Sequence, residues 1–123
     1  MEQRDPLTEQ IIGCAIEVHR HLGAGLLESA YALALRVELA SRGIGFDYER
    51  MVPLVYKGAR VGEYRPDLIV ESKVVVEVKS VLHLDPVFTA QMLTYLRITN
   101  IRTGLLLNFN RPVLREGIKR FVL

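Results

Sequence analysis

The chain has 123 residues, half of them hydrophobic and about a quarter charged, enough for one domain with its own core. Nine glycines and five prolines, with no repeat and no heptad, exclude global disorder, a collagen-like chain and a coiled coil. The single cysteine, Cys14, excludes an intramolecular disulfide and argues against a cysteine-rich zinc module, while a net charge of +2 implies no particular partner.

The first periodic segment runs from about Leu7 to Leu22, with Leu7, Ile11, Ile12, Ala15, Ile16, Val18, His19 and Leu22 near the 3.6 period. Asp5-Pro6 supplies an N-cap and a first-turn proline, and Gly23-Ala24-Gly25 ends the helix. A second helix is predicted over Leu27 to Ser41, with Leu27, Tyr31, Ala34, Leu35 and Leu39 on one face and Gly43 as its stop. From Phe46 to Tyr56 the chain is aromatic and β-branched, a strand that Pro53 confines to an edge or a bulge. After a turn at Lys57–Arg60, a second strand is predicted from about Val61 to Val70 and a third from Val74 to Val81. Asp85-Pro86 starts a helix reaching about Thr99, with Phe88, Met92, Tyr95 and Leu96 on one side. Thr103 to Phe109 reads as an interior strand and Ile118 to Val122 as a short final one.

Residues 97–123 carry six Arg and Lys residues against one acid, Glu116, leaving the first 96 residues net acidic. That tail either lines a phosphate path or is an ordinary solvated surface. No apolar run reaches membrane-span length, and the charged start (Met1 to Pro6) has no apolar stretch behind it. A cytoplasmic protein without a membrane partner is the expectation.

Short turns predict an antiparallel meander of strands one to three, and the helical crossover makes strands three and four parallel. The fold class is therefore α/β, a mixed central sheet flanked by helices in the order ααβββαβ, as one domain over 1–123. On the third strand, Val74, Val76 and Val78 point to one side and Glu77 and Lys79 to the other, about 6.6–6.8 Å apart. The pair is either a solvated Glu–Lys couple or a charged site. If Glu71-Ser72-Lys73 is a three-residue connection, Val70 opposes Val74 and Asp67 opposes Glu77, Cβ atoms about 4.5–5.5 Å apart. A two-residue connection would send the two acids to opposite faces. Opposed carboxylates beside a lysine describe a magnesium site that keeps water positions open, and zinc is disfavoured because His and Cys are not gathered there.

Pro66-Asp67 followed by Glu77-Val78-Lys79 resembles the signature of the PD-(D/E)xK nuclease superfamily, whose restriction-endonuclease-like core has this element order. Gln91 to Tyr95 is similar to the Gln-x-x-x-Tyr motif of one of its branches. Gly25-Leu26-Leu27-Glu28-Ser29-Ala30-Tyr31 matches the element that names the GxxExxY family of that superfamily, and Asn108-Phe109-Asn110 and Gly117 to Arg120 resemble its usual close.

The resemblance implies a nuclease that hydrolyses phosphodiester bonds of DNA or another nucleic acid with Mg2+ or Mn2+. Asp67, Glu77 and the Val78 carbonyl would hold the metal, Glu28 completing the set. Lys79 would orient or deprotonate the attacking water, Gln91 would fix substrate or a water, and Tyr95 would support Gln91. A homodimer is conceivable, since compact nucleases on duplex DNA often pair two sites. The alternative is a catalytically silent nuclease fold that binds nucleic acid or protein.

Each residue also has a plainer reading. Glu28 suits a helix start through the dipole, and Gln91 suits a helix surface. Tyr31 and Tyr95 suit a core, and Gly25 a positive-φ turn. His19 and His21 do not share a helix face, His83 is a loop histidine, and Cys14 is buried and inert. Asn108 and Asn110 are turn amides.

Overall fold

Asp5 caps α1 (Pro6–Leu22) by accepting from the Leu7 N–H at 3.3 Å, with Pro6 in the first turn as the sequence predicts. This is a computed structural model that describes residues 5–123; the charged start expected over residues 1–4 lies outside it. After the glycine break comes α2 (Glu28–Ser41), closed at Gly43, whose φ is 71°. Asp85 repeats the Asp-Pro start for α3 (Pro86–Thr99), accepting from the Val87 N–H at 2.9 Å.

Seven strands follow in chain order: β1 (Phe46–Tyr48), β2 (Val52–Tyr56), β3 (Ala59–Tyr64), β4 (Leu68–Val70), β5 (Val74–Lys79), β6 (Thr103–Asn108) and β7 (Ile118–Val122). A five-stranded mixed sheet takes the order β1-β4-β5-β6-β7, with β5 and β6 parallel and the other neighbours antiparallel. The mixed sheet flanked by helices and the parallel crossover through α3 are as the element order implied.

The expected three-strand meander is corrected. Each of its first two long strands is split in two, and β2 with β3 forms a separate hairpin sheet while β1 pairs β4 across it. The breaks have local causes. Glu49 takes φ 51°, a left-handed turn that ends β1, and Pro66 brings no N–H to a ladder between β3 and β4. Pro53 sits opposite Glu63 in the two-stranded hairpin, where a missing donor is tolerated.

Alternation along β5 builds a three-layer domain. Val74, Val76 and Val78 join Leu68, Val70, Leu105 and Leu107 under α1 and α2, which contribute Ile11, Cys14, Tyr31 and Leu35. Val75, Ile69 and Leu106 pack on the other face against Met92, Tyr95 and Leu96 of α3. Gly104 lets α3 settle onto that face, since a Cβ there would lie 2.5 Å from Met92 Sδ.

β5 stops at Lys79, short of the expected Val81, because a side chain replaces the ladder. Asn108, fully buried at the end of β6, accepts from the Val81 N–H at 3.1 Å and donates to the Val81 carbonyl at 3.0 Å. It also accepts from the Asn110 N–H at 3.2 Å, the local turn bond expected of it. The same amide thus clamps the segment leaving Lys79. Asn108→Ala would leave both Val81 backbone groups unpaired, and a urea titration should show a loss of about 3 kcal/mol.

Candidate active site at the end of the central strands

The β4–β5 register decides where the charged side chains meet. Glu71 and Ser72 take φ 52° and 56°, so the connection uses three residues and pairs Val70 with Val74 and Leu68 with Val76. One step further along this register places Asp67 opposite Glu77. The acids cross-brace the strands: Glu77 Oε2 accepts from the Asp67 N–H at 2.7 Å, and Asp67 Oδ2 accepts from the Val78 N–H at 2.8 Å. Each commits one oxygen to the scaffold and keeps the other.

Burial sets their protonation. Glu77 is 4% exposed, on the α3 face beneath Tyr95, and its carboxyl is pushed up to about 8, first by burial and then by the Asp67 charge. Burial also raises Asp67, against the opposing effects of the Val78 N–H and the Lys79 ammonium. The solvated-pair reading of Glu77 is thereby excluded.

Lys79 extends from the last residue of β5. Its Nζ lies 3.9 Å from Glu28 Oε1 and 4.4 Å from the centre of the Phe88 ring, at the start of α3. The ammonium is thus held between a carboxylate on one layer and an aromatic face on the other. Glu28 reaches Lys79, with its side chain 47% exposed, rather than closing a carboxylate triad with Asp67 and Glu77. Among the described residues, no group of three or more His, Cys, Asp or Glu side chains converges as a cation site.

The Gly25–Tyr31 element is a mechanical unit. Gly23 and Gly25 take φ 73° and 95°, and the Tyr31 hydroxyl donates to the Gly23 carbonyl and accepts from the Leu26 N–H at 3.1 Å. Its ring stacks on Phe109 at 4.5 Å, so Tyr31 is the core aromatic with a satisfied hydroxyl. Ser80 Oγ then donates to the Leu26 carbonyl at 2.6 Å, tying the loop before Glu28 to the residue after Lys79. Three residues separate Glu28 from Tyr31, so one helical turn both presents the acid and anchors the loop that starts it.

On α3, Gln91 Nε2 donates to the Tyr95 hydroxyl at 3.0 Å. Tyr95 is nearly buried, its ring edge-on to Tyr64, and burial followed by the Glu77 and Asp67 charges pushes its hydroxyl up to about 12. Gln91 and Tyr95 are therefore hydrogen-bonded partners, Tyr95 lies within electrostatic reach of both carboxylates, and it keeps its proton.

The remaining sequence candidates fall elsewhere. His19 bonds the Arg111 carbonyl at 2.8 Å, His21 pairs with Glu17 at 2.7 Å, and His83 is exposed. Cys14 is fully buried, and burial pushes its thiol up, as an inert core cysteine requires. Part of the basic tail is occupied structurally: Lys119 donates to Thr89 at 3.0 Å and Arg102 to the Leu123 carbonyl at 2.9 Å.

Sequence reasoning missed Ser80, Phe88 as a partner of Lys79, and Glu49, whose N–H donates to the Asp67 carbonyl at 3.1 Å and whose charge acts on Asp67. Ser80 directly follows the Glu-x-Lys run, which could have marked it. Glu49 is 18 residues from Asp67, and only the β1–β4 pairing brings them together.

A mixed sheet between helices, with two opposed acids and a lysine at the end of its central strand, defines a restriction-endonuclease-like architecture. The sequence model of the PD-(D/E)XK nuclease superfamily matches residues 5–121, and the chain belongs to that superfamily. No curated protein and no solved structure matches the chain significantly. No helix among the described residues is long and apolar enough to cross a membrane.

The donor set fits a hard divalent cation. Two carboxylates, each raised by burial and crowded by neighbouring acids, face a single ammonium, and each has an oxygen left for coordination. Mg2+ is commonly held by one or two carboxylates, with water and substrate phosphate filling the remaining positions.

Proposed function

We propose that the chain is a divalent-metal-dependent phosphodiesterase acting on nucleic acid, DNA foremost, of the GxxExxY kind within its superfamily. The observation that carries this reading is the mutual bracing of Asp67 and Glu77 beside Lys79. Asp67, Glu77 and the Val78 carbonyl would hold Mg2+ or Mn2+, which supplies charge neutralisation at the pentacovalent phosphate and acidifies water.

The chain's own groups divide the remaining work. Lys79 Nζ orients the attacking water and stabilises charge on the non-bridging oxygens. Glu28 keeps that ammonium at the mouth of the site, where the carboxylate–ammonium distance is 3.9 Å. Gln91 donates one N–H to Tyr95, which leaves its carbonyl oxygen and second N–H for substrate or a water. Tyr95 remains a neutral hydroxyl that fixes Gln91 over the carboxylates.

Calorimetric titration with Mn2+ and cleavage of varied DNA substrates in Mg2+ or Mn2+ test the reading against Asp67→Asn. Asp67→Asn should weaken Mn2+ binding at least tenfold and slow cleavage on the order of 100-fold. Metal binding without cleavage of any substrate would favour the silent binding module. Equal cleavage by wild type and variant would defeat the reading.

A further inference from the structure

A groove of about 150 Å³ beside α2 is lined by Ser29, Ala32, Leu33 and Arg36 together with Glu49 and Asp67. The four α2 residues follow the i, i+3, i+4, i+7 stripe of one helical face. One wall of the groove is therefore a face of α2 that carries a guanidinium, and the same groove reaches Asp67.

Among the described residues Arg36 makes no salt bridge, although Glu49 lines the same groove. Its guanidinium carbon lies 4.0 Å from the centre of the Tyr48 ring, which fixes the plane of the fork. Two of the neighbouring acids are engaged elsewhere, Glu38 with Arg42 at 2.8 Å and Asp47 with Arg50 at 3.1 Å, while Glu49, next to Tyr48, lines the groove with Arg36. A half-buried, stacked guanidinium retains its five donors for a planar oxyanion. The eight helical steps from Glu28 to Arg36 span about 12 Å, the reach of a few nucleotides at most.

We propose that this groove carries the substrate strand past Asp67 and that Arg36 binds one of its phosphates, away from the bond cleaved. The inference rests on the nuclease reading and adds to it a direction for the strand and a binding residue outside the catalytic group. Ser29 provides a hydroxyl to the backbone along the wall. Glu49 and Asp67 make the rest of the lining acidic, so phosphate is favoured where it meets the Arg36 guanidinium.

Fluorescence anisotropy with short labelled single-stranded and duplex DNA, in Ca2+ so that an oxygen-ligating cation is present, tests this. Arg36→Ala should weaken binding about tenfold and flatten the slope of log affinity against log salt by about 0.7 for single strands or about 0.9 for duplex. Arg36→Gln, which keeps a helix-forming stem, should do the same. Tyr48→Leu should cost about threefold with the slope retained, because the charge stays and only its orientation is lost. Wild type that binds DNA, with both Arg36 variants unchanged in affinity and slope, overturns the inference alone. Wild type that binds neither DNA overturns the nuclease reading and the inference with it. Thermal melts of the variants at the wild-type temperature exclude a folding defect.

Discussion

Glu77→Gln is expected to stabilise the metal-free protein above pH 8 and to remove most of its stability dependence on pH. In the unfolded chain the Glu77 carboxyl has its ordinary value of 4.5, and in the fold it is pushed up to about 8. Between those values the native state holds a proton that the unfolded state has released, so stability falls as pH rises through the window. Above about pH 8 the loss is complete, on the order of 4–5 kcal/mol. The raised Asp67 carboxyl adds to it in the same direction.

Glutamine keeps the shape and can still accept from the Asp67 N–H, but it brings no charge to bury. Thermal unfolding in EDTA from about pH 5 to about pH 9 should show a falling midpoint for wild type and a much flatter one for the variant. Mn2+ should restore the wild type chiefly at the alkaline end, where its ligands are deprotonated, and should do much less for the variant. A wild-type midpoint independent of pH would show that burial does not hold Glu77 protonated.

Lys79→Ala is expected to lower the rate of DNA cleavage on the order of 1,000-fold while leaving the cation site intact. The ammonium acts on both Asp67 and Glu77, and it favours the charged form of each. Removing it raises both carboxyls further, so Mn2+ binding should weaken near neutral pH. Near pH 9, where both acids are ionised, Mn2+ should bind at least as tightly as to wild type, because a repelling charge is gone. The activity should not return there, since the water and the non-bridging oxygens have lost their donor. Calorimetry and cleavage assays at both pH values separate the roles. Loss of metal binding at the alkaline pH as well would reassign Lys79 to the scaffold.

The two predictions concern neighbouring residues on one strand and have opposite signs for stability and catalysis. Above about pH 8 Glu77 is expected to destabilise the metal-free fold, because its charge is then buried. Phe88 and Glu28 reach Lys79 from different layers, so its position depends on the packing of both α2 and α3 against the sheet.

Much of this was legible from residue order. Asp-Pro starts, helical stripes and glycine stops fix the three helices because capping and burial act over a few residues. Valine alternation and loop arithmetic narrowed the β4–β5 register to two choices, and the three-residue connection in the structure is the one that opposes Asp67 and Glu77. The strand breaks at Glu49 and Pro66 were harder to read, because an aromatic and β-branched run has the same period on both sides of a kink.

By itself, then, the sequence determined the helices, the central strands and the motif acids, all of which depend on periodicity and short-range sterics. Only the tertiary structure decided that β2 and β3 leave the main sheet, that Glu28 reaches Lys79 rather than the carboxylates, and that Asn108 clamps Val81. It alone brought Glu49 and Arg36 into one groove with Asp67. These are contacts between segments distant in the chain, and their geometry is set by how the layers pack, which no local pattern encodes.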